Sequence, residues 1–160
     1  MKPRVASVDA LRGLITILMA LDHVRDFFGV PGLSPTNLAQ TTAPLFFTRW
    51  ITHLCAPTFF LLTGTGAFLA LGRRTIPQLS RFLLTRGLWL VLLEVTVIRT
   101  WFQFNVDYHV TMLIVIWALG WAMIALAALC WLPLTAILAF GVAMIAGHNL
   151  LDGVRSTHPI

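Results

Sequence analysis

The chain has 160 residues, 58% of them hydrophobic and 11% charged, with a formal net charge of +5 and a mean hydropathy of +0.86. Soluble globular domains run at roughly 45–50% apolar and about 25% charged, so this composition excludes a cytosolic enzyme, a disordered chain and a nucleic-acid-binding protein; in so apolar a chain a basic excess sets membrane orientation rather than gripping phosphates. A membrane-spanning helix takes about 20 residues, so the length allows about five or six spans and predicts one integral-membrane domain, an all-α polytopic helix bundle.

In chain order, the apolar runs predict five spans: Ala10 to Phe28, Ile51 to Leu71, Phe82 to Phe104, Val110 to Cys130 and Pro133 to Leu151. The first is interrupted by Arg12, Asp22 and His23 and has no small-residue cleavage site after it, so it reads as a retained helix and not a signal peptide. A connection of nineteen residues, Val30 to Thr48, is rich in Pro, Gly, Ser, Thr and Asn, and its length favours a covering or functional role. Within it, Thr42-Ala43-Pro44 looks like a helix start, with Thr42 as cap and proline in the first turn, so helix could run through Phe46, Arg49 and His53 into the second span.

Pro57 predicts a kink there, and Thr63-Gly64-Thr65-Gly66 reads as a site of close helix packing. The short Trp131-Leu132-Pro133 turn predicts that the fourth and fifth spans are antiparallel neighbours, and Ala139, Ala143 and Gly147 form a small-residue packing stripe. The six tryptophans, several near span ends, fit interfacial anchoring. Cys55 and Cys130 fall on different spans at opposite faces, which argues against a disulfide, and no C-x-x-C spacing occurs.

Seven of the eleven basic residues lie on one side of this arrangement: Lys2, Arg4 and Arg12 at the start of span one, and Arg73, Arg74, Arg81 and Arg86 between spans two and three. The positive-inside rule makes that side cytoplasmic, with the N-terminus inside. The other polar residues then gather at the outer face: Asp22, His23, Arg25 and Asp26 on span one; Arg49 and His53 opening span two; Arg99, Asp107 and His109 around the next outer loop; His148 and Asp152 at the end. Ionisable groups in spans are costly and face a bundle interior or wet cavity, so one outward-facing polar site is the simplest account.

Asp22 and Asp26 are four apart on a helix, and His23 and Asp26 three apart. A carboxylate beside an imidazole fixes its tautomer and suits it to general-base or nucleophilic work, so His23, Asp26 and Asp22 are the candidate catalytic group, against the alternative of a solvated helix end. Arg49 and His53 share a face and, with Arg25, are candidates to bind substrate. Asp9 and Arg12 read as a local ion pair. Glu94, near the middle of a span with Arg99 five residues on, is either a structural ion-pair member or a relay. No metal set is expected.

The strings Ser7-Val8-Asp9-Ala10-Leu11-Arg12-Gly13-Leu14 and Ala20-Leu21-Asp22-His23-Val24-Arg25-Asp26-Phe27-Phe28 resemble the heparan-alpha-glucosaminide N-acetyltransferase catalytic-domain family, in its bacterial membrane-protein branch. Ser34-Pro35-Thr36-Asn37-Leu38, Phe46-Phe47-Thr48-Arg49-Trp50-Ile51-Thr52-His53, Cys55-Ala56-Pro57 and Leu83-Leu84-Thr85-Arg86-Gly87-Leu88-Trp89 extend the likeness over most of the first hundred residues. The resemblance implies a polytopic transmembrane acyltransferase, in a bacterial inner membrane, with no permanently bound cofactor. Acetyl-CoA or another acyl-CoA would be the cytoplasmic co-substrate and a sugar or glycan the outer acceptor. It also implies a histidine at the non-cytoplasmic face after the first span, for which His23 and His53 are the nearest candidates, and a chain that is the N-terminal half of a longer fold, whose missing half would be needed for activity.

Two other classes stand beside this one. Four histidines on four segments at one level would suit a bis-histidine haem redox protein, which a Soret band in the purified protein would reveal. A transporter or structural bundle without catalysis is the other, although no internal repeat supports it. The expected partners are the lipid bilayer, acyl-CoA and the acceptor, with a homo-oligomer left open and no nucleic acid.

Overall fold

The computed structural model describes residues 5–30, 32–102 and 113–151. Within them the chain is all-α: α1 (Ala6–Phe28), α2 (Ala43–Thr52), α3 (Cys55–Leu71), α4 (Ile76–Leu93), α5 (Val115–Leu129) and α6 (Leu134–Gly147). A π-helical segment, Glu94–Phe102, continues α4, and a short 3-10 turn, His148–Leu151, follows α6.

Local chemistry accounts for the ends. Gly29 closes α1 by donating its N–H to the Arg25 carbonyl at 2.8 Å. α2 starts as expected, with Thr42 at the N-cap position and Pro44 in the first turn, although the Thr42 side chain makes no cap hydrogen bond. The proline fits because first-turn N–H groups have no helical acceptor. α4 opens on Ile76-Pro77, and the Gln78 side chain accepts the Thr75 N–H at 3.1 Å. Pro57 cannot return an N–H to the His53 carbonyl, and the chain turns at His53-Leu54 between α2 and α3. Together α2 and α3 form the single helix among the described residues that is long and apolar enough to cross a membrane, Ala43–Leu71, 29 residues; Val115–Leu129 and Leu134–Leu150 are shorter apolar helices.

The packing centres on α4 and α5, which run antiparallel: Ser80 lies opposite Ala127, and Gly87 opposite Gly120. Leu79 and Leu83 of α4, Ala67 of α3 and Ala127 of α5 form the buried core. At one end of this pair the Ser80 hydroxyl donates to the Ala127 carbonyl at 2.7 Å and accepts from the Trp131 indole at 3.2 Å. The guanidinium of Arg74 stacks 4.0 Å from the Phe82 ring centre. On the other side α1 runs antiparallel along α2 and α3, with the Cys55 thiol 3.9 Å from the Ile15 carbonyl. Both cysteines are free thiols.

Four expectations need correction. The connection after α1 is shorter than Val30 to Thr48, because helix begins at Ala43, where Pro44 pre-sets its first turn. α6 does not lie along α5; it packs along none of the described helices, and Leu138, Val142 and Ile145 are exposed. The tight turn at Pro133 fixes where the chain reverses but supplies no interface to hold the helices together. For the same reason Ala139 and Ala143 are exposed and not packed. The close helix approach expected at Gly64 and Gly66 is absent there, since a Cβ on either would meet nothing within 4 Å. It occurs instead between Gly87 and Gly120, where a Cβ on Gly87 would sit 2.6 Å from the Gly120 carbonyl oxygen and one on Gly120 2.9 Å from that of Gly87.

Candidate polar site at the α1–α2 end

The antiparallel course of α1 and α2 brings the Asp22-to-Asp26 turn against Arg49 and Thr52. Asp22 and Arg25, one turn apart on α1, face the last turn of α2, and Asp26 lies beside them. Arg25 Nη2 lies 2.7 Å from Asp22 Oδ1 and 2.8 Å from Asp26 Oδ1. Its Nη1 donates to the Thr52 hydroxyl at 3.3 Å, and that hydroxyl donates to Asp22 Oδ1 at 2.6 Å. Arg49 Nη1 approaches the same carboxylate oxygen at 3.7 Å. Asp22 is therefore the hub: a single carboxylate oxygen joins two guanidinium groups and a hydroxyl from two helices.

Burial grades these contacts. Thr52 is 2% exposed and the Arg25 side chain 12%, whereas the Asp26 side chain is 57% exposed. Charge-assisted bonds count for more away from water, and an exposed pair contributes little, so Asp22–Arg25–Thr52 is the structural centre and Asp26 its rim. His23 is half-buried next to Asp22 on α1, and His53 is exposed at the end of α2. The structure thus unites Asp22, Arg25, Asp26 and Arg49 as expected, and adds Thr52, which the sequence reading passed over. Its signal was present: Thr52 follows Arg49 by three positions and so shares its helix face. Asp22, expected to orient His23, anchors Arg25 and Arg49. A cavity of about 340 Å³ adjoins Arg25 and Asp26, walled by Phe27, Leu33, Pro35 and Leu45, so Gly32, Leu33 and Pro35 of the connection lie over this end of α1.

The other candidates lie elsewhere. Asp9 and Arg12 form the expected i,i+3 pair at 3.2 Å, about half exposed, at the opposite end of α1. Glu94 and Arg99 are 2% and 4% exposed and both sit in the π-helical segment. Glu94 Oε1 accepts the Ile114 N–H at 3.4 Å, and the Trp117 backbone amide also interacts with the carboxylate. These are the N-cap and third residues of α5, whose leading N–H groups lack acceptors within the helix. Glu94 therefore serves as a cap supplied from another helix, a carboxylate at the positive end of the α5 dipole. His148 Nδ1 lies 2.7 Å from the Ile145 carbonyl, a local contact. Asp107, His109 and Asp152 lie outside the described residues.

The fold and the site together define a class: an all-α chain of membrane-helix composition, with a buried, charge-balanced polar cluster held between two helices at one end. A family model for the heparan-alpha-glucosaminide N-acetyltransferase catalytic domain matches residues 4–159, and the chain belongs to that family. Searches among curated proteins and solved structures gave no match.

Proposed function

We propose that the chain is a membrane-embedded acyltransferase that accepts an acyl group from acetyl-CoA or a related thioester on the cytoplasmic side and passes it to a sugar acceptor at the opposite face. The observation that carries this reading is the family match over nearly the whole chain. The outward apolar side chains on the helices, among them Leu14, Ile17, Phe47, Leu61 and Leu138, support a bundle that crosses the bilayer more than once; its place in a bacterial inner membrane follows the family resemblance, and an inside N-terminus follows the basic residues gathered at one end. The family match gives no support to the haem or transporter alternatives.

His23 acts as general base in this scheme. With the thioester arm reaching this end from the cytoplasmic side, the acceptor hydroxyl or amine attacks the thioester carbonyl, its proton passes to the imidazole, the C–S bond breaks and CoA leaves as the thiol once the proton is returned. Arg25 and Arg49, held by Asp22, supply guanidinium donors for the developing oxyanion. With two carboxylates beside two guanidiniums the cluster is close to neutral, which suits an uncharged, hydroxyl-rich acceptor in the adjoining cavity better than a multiply charged one. Asp26, on the rim, contacts the acceptor, and His53, exposed at the end of α2, contributes to its binding.

Transfer of labelled acetyl from acetyl-CoA by the membrane-reconstituted chain tests the reading. His23→Ala is expected to abolish transfer while membrane insertion persists; undiminished transfer by that variant removes His23 from the role. Absence of any acyl transfer by the wild-type chain, with acetyl-CoA and a range of sugars, would argue against the activity itself.

A further inference from the structure

At the end of the bundle opposite the polar cluster, α1 and α4 both pack on α3, and a cleft of about 730 Å³ lies between them. That volume is in the range of ligand-binding cavities. Its rim carries Arg12 of α1 and Arg73 and Arg74 just after α3, against the single carboxylate of Asp9. Below the rim the walls are Phe59, Leu62, Ala67, Leu83 and Met123. The one hydroxyl among these deeper walls, on Thr63, already donates to the Phe59 carbonyl at 2.9 Å.

We propose that this cleft is a binding site for an anionic phospholipid, with the headgroup phosphate among Arg12, Arg73 and Arg74 and an acyl chain along the apolar walls. The inference rests on the reading of the chain as a membrane bundle, but not on its being an acyltransferase. Charge and depth select the occupant. Three guanidiniums against one carboxylate leave a surplus of positive charge at headgroup level, the arrangement that recognises anionic lipid heads between membrane helices. A zwitterionic lipid would gain less from it. The arm of a CoA thioester carries amides that need both donors and acceptors when buried, and below the rim only the Thr63 oxygen remains to accept, whereas a hydrocarbon chain needs no partner.

The test is native mass spectrometry of the full-length chain purified in detergent and titrated with phosphatidylglycerol or phosphatidylcholine of matched chains. Phosphatidylglycerol should be retained selectively. The double variant R73Q/R74Q should weaken its retention about thirty-fold, since each basic residue near a headgroup contributes on the order of a kilocalorie per mole; Arg81→Gln, exposed and away from the cleft, should leave it unchanged. Gly66→Leu is the charge-neutral control: Gly66 lines the cleft and a Cβ there meets nothing within 4 Å, so the larger side chain fills the space and should expel the lipid without altering a charge. Equal retention of the two lipids, or phosphatidylglycerol retention untouched by both cleft variants, overturns the proposal. So does stoichiometric displacement of phosphatidylglycerol by free CoA, which would make the cleft the thioester donor site. Release of the protein from membranes by alkaline carbonate would instead overturn the membrane reading, and is scored separately.

Discussion

The hydroxyl of Thr52 donates to Asp22 at 2.6 Å while receiving Arg25 at 3.3 Å, so one buried side chain on α2 clasps an ion pair on α1. Thr52→Val keeps the shape and removes both bonds, leaving Asp22 and Arg25 with fewer partners in a water-poor place. The expected loss is about 1 kcal/mol, between the usual cost of a hydrogen bond and the smaller values typical within membranes. Thermal unfolding in detergent measures it, and Thr52→Ser, which retains the hydroxyl, should recover most of the loss.

Asp22 and Asp26 both touch Arg25, but their removal should not be equivalent. Asp22→Asn takes away the charge that holds Arg25 and Arg49 together, and breaking a largely buried pair costs about 3 kcal/mol or somewhat more. Asp26 is more than half exposed, so Asp26→Asn should cost less than about 1 kcal/mol. The two melting temperatures, compared in one detergent, decide the matter; equal shifts would mean that Asp22 is not the hub.

Gly87 and Gly120 let α4 and α5 approach until each backbone oxygen lies 2.6–2.9 Å from where the other's Cβ would be. Alanine at either site cannot fit unless the helices separate, and overpacking of this kind costs roughly 1–3 kcal/mol. Gly64→Ala, where the added methyl meets nothing within 4 Å, should be neutral or slightly stabilising through helix propensity. Differential scanning of the three variants gives the comparison.

Glu94 caps α5 from the π-helical segment. Glu94→Gln preserves an acceptor for the Ile114 N–H and should be mild, whereas Glu94→Ala removes it and should cost about 1 kcal/mol, as loss of a cap does. Hydrogen exchange at the first amides of α5 should quicken in the alanine variant and much less in the glutamine one. Equal exchange in both would return Glu94 to the role of a relay without a capping function.

Apolar runs made the helices legible in the sequence, and turn chemistry at Thr42-Pro44, Pro57 and Pro133 located their ends to within a few residues. The i,i+3 and i,i+4 spacings on α1 likewise revealed Asp22, Arg25 and Asp26 as one cluster. What stayed hidden depends on partners distant in the chain. Gly64, Gly66, Gly87 and Gly120 look alike as letters, and only the facing helix distinguishes a contact from an open space. Glu94 and Arg99 lie five apart, a poor match to an α-helical face, yet both are buried in a segment whose change to π-helix no run of letters announces. Nor does a short turn between two apolar stretches say whether they will touch, as α6 demonstrates.

The bundle divides into a hairpin of α4 with α5 and a second unit in which α1 lies along α2 and α3, joined mainly through α3. The basic-rimmed cleft is the seam between these units and not a hollow within either. Its width is therefore set by the angle at which the two parts meet, whereas the Asp22 cluster, built wholly within one part, does not depend on that angle.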